Sequence, residues 1–300
     1  MFSGTERFII SIKRKEKKMS KKFEFLRKFN YRDETIKKAK DAVKGGKLLA
    51  VPQSNFIRVY CNGINMIDKI TDKSFKLSDN VANGFTIKDK KDIISSFNNK
   101  MPKDKERKSS QIIALNNMSF DDDKYSVCGW ECTIPSDDVK IKNSKGNNKK
   151  PEIDLVAVCP DKKEILLIEY KCNGKSMLKG NQNIKQHYND YTKIIKKPEF
   201  AEHLKGELLK AYNVAKRIYT DKPVTIYDPA EFTIKIGFLF ADTVIINGEK
   251  SEITDKDYAK AYGEKPFDDK TVYIRAKNDK AIKLDGWKFI SGSNFEITQE

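Results

Sequence analysis

Three hundred residues are enough for one large domain or two modest ones, with ample length to bury a core. A hydrophobic share of 38% beside 34% charged residues reads as a soluble globular chain on the polar side, and no apolar run approaches the length of a membrane span. The formal charge of +16 excludes an acidic, self-solvating chain, although 51 of the 59 basic residues are lysine, a bias that codon usage alone can produce.

The amino terminus has only Phe8-Ile9-Ile10 as an apolar run, too short for a signal-peptide core, so a cytoplasmic location is expected. Residues 1 to 47 hold sixteen Lys/Arg against six Asp/Glu. That concentration can attract phosphates independently of sequence, or it is simply a solvated basic tail. Met19 opens MSKKFEFLRKF, which reads like a natural start, so residues 1 to 18 are expected to be a disordered extension. Five cysteines without a CxxC pair, and two histidines, point to reduced thiols rather than a structural zinc site; Cys128 and Cys132 are the nearest pair.

Residues 33 to 44 read as a short helix ended by Gly45-Gly46, and Leu48 to Val51 and Phe56 to Cys61 as strands. More polar, irregular sequence is expected from there to about residue 100. A helix follows over 102 to 117, then a strand from Tyr125 to Ile134 carrying Glu131. Ser136 to Lys150, rich in Asp, Lys, Asn and Gly, reads as an exposed loop. Asn181 to Lys197 reads as a helix with Ile184, Tyr188, Tyr191 and Ile195 on one buried stripe. A second helix is expected over Glu202 to Tyr219. A long strand from Phe232 to Phe240 comes next, then shorter strands near Val272 to Arg275 and Trp287 to Ile290.

Between the loop and those helices lie two apolar runs that end in charge. Pro151-Glu152-Ile153-Asp154 opens the first, which continues to Val158; the second, Ile165 to Ile168, runs into Glu169-Tyr170-Lys171. Strands apolar on both faces belong in the middle of a sheet. The link Cys159 to Glu164 contains Pro160, Asp161 and two lysines and suits a tight turn. An antiparallel hairpin of this length brings Asp154 beside Glu169, and alternation puts Glu169 and Lys171 on one side. Two carboxylates forced together in a partly buried place repel and desolvate each other unless a divalent cation sits between them.

This arrangement, with fourteen residues between Asp154 and Glu169, resembles the PD-(D/E)XK nuclease superfamily, most of all its Holliday-junction-resolvase-like branch. The resemblance covers roughly residues 102 to 242. It implies an α/β fold with a mixed central β-sheet flanked by helices, a restriction-endonuclease-like core. An N-terminal α+β accessory region precedes it, dividing the chain into residues 1–100 and 101–300. The order helix, three strands, helix, strand, read from periodicity and turns, is the order that family requires. The resemblance prefers Asp154 over Glu152 as metal ligand and implies that Glu169 and the carbonyl of Tyr170 complete the set for Mg²⁺, with Mn²⁺ as substitute. Lys171 would then orient or activate the attacking water and offset phosphate charge.

Glu131 and Glu106 are candidate further acids, each with a surface ion pair as the competing account. Gln182, Gln186 and Asn189 form a polar stripe from which Gln182 and Gln186 are candidate substrate contacts. Some exonuclease-type members carry a tyrosine four residues after a glutamine on this helix. Here Tyr191 is five after Gln186 and position 190 is Asp190, which departs from that branch. His187 reads as a hydrogen-bonded structural histidine. The expected function is a metal-dependent deoxyribonuclease, a hydrolase of DNA repair, recombination or defence, with DNA and a homodimer as partners and no membrane association. A non-catalytic nucleic-acid-binding protein keeping the nuclease fold is the alternative. An interaction protein whose lysine content is only codon bias is a second.

Overall fold

The computed structural model describes residues 31–78 and 105–299, apart from 46–47, 54–55, 62, 134–140, 143–147, 150–151, 180–182, 247, 264–266, 268–270 and 290–294. The basic extension, residues 1 to 18, and Gln182 lie outside the described residues.

The protein is α/β, with a mixed sheet flanked by helices. Helix α1 (Asp33–Val43) packs on four antiparallel strands in sequential order, β1 (Leu49–Pro52), β2 (Ile57–Cys61), β3 (Ile64–Ile70) and β4 (Phe75–Leu77). The last two fall in the first part of the irregular stretch expected from Cys61 to about residue 100, whose remainder from residue 79 lies outside the described residues. Their signal is local: Cys61 pairs with Ile64 across Asn62-Gly63, and Gly63 takes φ +77°, the positive-φ geometry of a two-residue hairpin turn.

Helix α2 (Lys105–Asn116) leads into β5 (Ser126–Thr133). The expected loop contains a short pairing of β6 (Ile141–Lys142) with β7 (Asn148–Lys149). The hairpin β8 (Glu152–Cys159) and β9 (Glu164–Lys171) follows. Three helices come next, α3 (Gly174–Leu178), α4 (Ile184–Ile195) and α5 (Pro198–Tyr219). Helix α5 starts four residues before the expected Glu202, because a proline at the first turn costs no hydrogen bond there. Strand β10 (Thr233–Ile246) outruns its expected end at Phe240 by six residues, and those residues pair with β11 (Glu249–Glu252). Helix α6 (Asp255–Gly263), β12 (Val272–Asn278) and β13 (Lys288–Phe289) complete the order.

The large sheet runs β13-β12-β10-β9-β8-β5. β5, β8 and β9 are antiparallel, while β9, β10 and β12 are parallel, so each parallel step is spanned by a helical crossover. Because β8 and β9 are central, both faces of each are covered. One face, with Val156, Val158, Ile165 and Leu167, packs under Tyr191, Ile194 and Tyr212 of α4 and α5. The other, with Leu155, Ala157, Leu166 and Ile168, packs against Ile113 and Ala114 of α2. The accessory sheet has a third core, shared with Val214 and Ile218 of α5.

Helix α2 shows little apolar periodicity because its buried positions include Ser109, Ser110 and Gln111. Each is committed. Trp130 Nε1 donates to Ser110 Oγ at 2.9 Å, Gln111 spans the accessory hairpin at Gly63 N and Tyr60 O, and Ser109 Oγ donates to Asp279 Oδ2 at 2.7 Å. Ser109 Oγ lies 2.6 Å from the hydroxyl of Tyr170, and with its own proton spent on Asp279, Tyr170 must be the donor. All three groups are buried. Ser109→Ala should therefore lower stability by about 1–3 kcal/mol, since it leaves a buried hydroxyl and a buried carboxylate short of a partner. Equilibrium urea unfolding reads this directly; a loss below about 0.5 kcal/mol would show that water replaces the serine.

Candidate active site

Chain direction and register build the site. The hairpin ladder runs from Cys159↔Glu164 to Leu155↔Ile168, turning through Pro160 to Lys163, where Lys163 N donates to Pro160 O at 3.0 Å. One step beyond Leu155, Asp154 stands beside Glu169, and there a side chain takes over from the ladder: Tyr170 N donates to Asp154 Oδ2 at 2.9 Å. Asp154 is half-buried, and its Oδ1 accepts no hydrogen bond among the described residues.

Glu169 is buried to 1% side-chain exposure, and Lys171 to 3%. Lys171 Nζ lies 2.6 Å from Glu169 Oε1 and 3.3 Å from Glu106 Oε1, so α2 brings a third carboxylate to the lysine. The contact with Glu169 is an ion pair without good hydrogen-bond direction. The other oxygen, Oε2, accepts from the Tyr191 hydroxyl at 2.8 Å and lies 3.0 Å from His187 Nδ1. Tyr191 also reaches the carbonyl of Glu152 at 3.3 Å. Helix α4 is set for this by its N-cap, where Asn183 Oδ1 accepts from Gln186 N at 2.8 Å.

The electrostatics follow from burial. Burial first, and the adjacent Glu169 second, push the Asp154 carboxyl up to about 8. Burial pushes Glu169 up to about 7 although Lys171 and Tyr191 pull the other way. Burial alone would lower Lys171, but Glu169, Glu106 and Asp154 together outweigh it and raise it. The lysine is thus an ammonium, and the two carboxyls do not both hold full charge at neutrality.

Stability should follow. Carboxyls whose folded pKa lies above the ordinary 3.8 and 4.5 contribute stability that is present below those values and lost as pH rises through about 7 and about 8. In EDTA the melting temperature is expected to fall as pH rises from about 6 to about 9, and added Mg²⁺ or Mn²⁺ should restore more at the alkaline end. Melting curves that stay flat over that range, with or without cation, would contradict the raised carboxyls.

The remaining candidates separate. Glu131 has a left-handed backbone, φ +50°, and its carboxylate lies 3.8 Å from Arg107 Nε. Arg107 in turn lies 5.0 Å over the Trp130 ring and 6.0 Å over Tyr60. Gln186 Nε2 donates to the buried Asp190 Oδ1 at 2.8 Å. Glu152 contributes its carbonyl, to Tyr191, and a small upward push on Asp154. Within the expected buried stripe of α4, Ile184 and Tyr191 are buried and Tyr188 and Ile195 only half-buried. Sequence reasoning missed that His187 and Tyr191 share Glu169. The available signal was their i, i+4 spacing, which puts both on one helix face.

Among the described residues no three His, Cys, Asp or Glu side chains form a ready-made metal cage. The donors nevertheless suit a hard cation: an open oxygen on Asp154, a Glu169 oxygen held only by the Lys171 ion pair, and two carboxyls raised by burial. Among the described residues no helix is long and apolar enough to cross a membrane. Comparison of the chain with protein-family models, curated proteins and solved structures finds no match.

Proposed function

We propose that the protein is a metal-dependent nuclease with a restriction-endonuclease-like core that hydrolyses DNA phosphodiester bonds. The observation that carries this reading is the meeting of Asp154, Glu169 and Lys171, at the ends of two central strands, where folding alone gains nothing from drawing two carboxyls and an ammonium out of water. Asp154 and Glu169 would hold Mg²⁺ or Mn²⁺, joined by the Tyr170 carbonyl as the resemblance implies. When bound, the cation lowers the pKa of water and neutralises phosphate oxygens.

The chain's own groups do the rest. His187 and Tyr191 occupy Glu169 Oε2, which leaves Oε1, already paired with Lys171, as the oxygen the cation would share. Tyr170 N holds Asp154 in place through its other oxygen. Lys171, kept cationic by three carboxyls, is a donor and a counter-charge to the phosphate rather than a proton acceptor. Glu106 shares that lysine from α2 and steadies its position.

The direct test is incubation with plasmid, linear and single-stranded DNA, in EDTA and in Mg²⁺ or Mn²⁺. Cleavage is expected only with the cation. Undiminished cutting in EDTA would remove the metal mechanism, and no cutting of any substrate under any cation would remove the nuclease reading.

A further inference from the structure

The positive charge of this chain is not spread evenly. From residue 105 to the end, leaving out residues 171–197, there are 27 basic and 30 acidic residues. Residues 171–197 hold seven lysines and one acidic residue, Asp190. The rest of the excess lies in residues 1–104, with 25 basic and 12 acidic residues. Codon bias acts along the whole chain and does not by itself confine the excess beyond residue 104 to 27 residues.

The fold puts that segment next to the candidate site. It begins at Lys171 and runs through α3 and α4, whose His187 and Tyr191 contact Glu169. Lys175, Lys179, Lys185, Lys193, Lys196 and Lys197 are all exposed. Lys185, Lys193 and Lys196 fall within about 80° of one another around α4, on the side away from the buried Tyr191 and Ile194. The one acid is turned inward: Asp190 has 8% side-chain exposure, accepts from Gln186, and reaches Lys193 only at 3.9 Å. Lys175, Lys179 and Lys196 have no carboxylate within 4.0 Å among the described residues. Several lysines elsewhere are matched, Lys124 and Lys222 by Asp121, Lys163 by Glu231, and Lys250 by Glu252.

We propose that the exposed face of the α3–α4 arm is a docking surface for the phosphate backbone of double-stranded DNA. Like charges gathered as Lys185, Lys193 and Lys196 are on α4 repel one another and cost folding free energy, a cost that a polyanion removes. Lysine offers a hydrated point charge without the planar fork that reads base edges, so the binding is to phosphate and independent of sequence. The inference rests on the nuclease reading for its choice of polyanion, and its position flanking the site would hold the duplex there during cleavage.

Binding of a labelled duplex by the full chain, in EDTA and over a range of salt, tests this separately from cleavage. The fourfold variant Lys175→Gln, Lys179→Gln, Lys185→Gln, Lys196→Gln should bind at least about tenfold more weakly near 0.1 M salt, with a salt slope shallower by about 3, given roughly 0.9 for each phosphate no longer neutralised. The control variant Lys124→Gln, Lys163→Gln, Lys222→Gln, Lys250→Gln removes the same charge and should change the slope by less than about 1. Equal losses in the two variants, or none in either, overturn the surface. So does a patch variant that loses binding to anionic phospholipid vesicles while keeping its hold on DNA. A wild-type protein that binds through the patch but never cuts keeps the surface and loses the nuclease reading; one that cuts while the patch variant binds normally does the reverse.

Discussion

Replacing Lys171 is expected to abolish cation-dependent DNA cleavage. The ammonium is 3% exposed and the nearest cation to the Glu169 carboxylate, 2.6 Å away. Removing one preorganised donor from a transition state that gathers negative charge costs about 10²- to 10³-fold in rate. Lys171→Met keeps the aliphatic volume and is the better variant, because Lys171→Ala adds a cavity to the lost charge. Neither is silent for folding. Breaking a buried pair costs about 3–5 kcal/mol where the remaining charge is trapped, but Glu169 already titrates at about 7 and escapes by taking a proton. The loss should therefore be smaller at about pH 6 than at about pH 8, and Lys171→Met with Glu169→Gln should recover it. Single-turnover cleavage beside thermal melts separates chemistry from folding. A Lys171→Met protein that cuts at the wild-type rate would show that Glu169-Tyr170-Lys171 is an ordinary strand end.

Asp154→Asn should lose turnover and yet gain stability. Asparagine keeps an oxygen to accept the Tyr170 N–H, so the ladder end survives. What disappears is a carboxyl whose pKa is pushed up to about 8, and with it the cost of ionising beside Glu169. In EDTA above about pH 7 the variant should melt higher than wild type by at least about 2 °C, the shift that about 1 kcal/mol produces in a chain of this size. It should gain little from added Mg²⁺, whereas wild type gains clearly. High Mn²⁺ should return part of the cleavage, since a weakened site refills by mass action; the same addition should do nothing for Lys171→Met. A variant that is destabilised in EDTA, or that keeps the wild-type response to Mg²⁺, would remove Asp154 from the set of cation ligands.

How far the site was legible depended on distance along the chain. Asp154, Glu169, Tyr170 and Lys171 sit on two strands joined by four residues, and the period of a strand fixes which side chains meet across such a turn. Glu106 is 65 residues from Lys171, and only the packing of α2 across the sheet brings them together. His187 and Tyr191 lie on a helix whose buried face was expected, but which strand residue that face would meet depends on the crossover from β9 to β10. Strands β3 and β4 were hidden by polar residues on a half-exposed sheet, with Asn62-Gly63 as the overlooked turn. Glu131 alternates correctly for a strand, but a positive φ at that residue places its carboxylate beside Arg107.

By itself the sequence determined the α/β order, the central hairpin and the confrontation of Asp154 with Glu169, because each follows from short-range stereochemistry: alternation along strands, tight turns and the burial of apolar runs. It also determined that, beyond residue 104, the excess of positive charge falls within residues 171–197, since counting needs no fold. The tertiary structure alone decided which polar groups are spent on one another. Ser109 on Asp279 and Tyr170, and Glu106 on Lys171, are pairings over distances no periodicity spans, and they exist because a buried polar group must find a partner wherever packing happens to supply one.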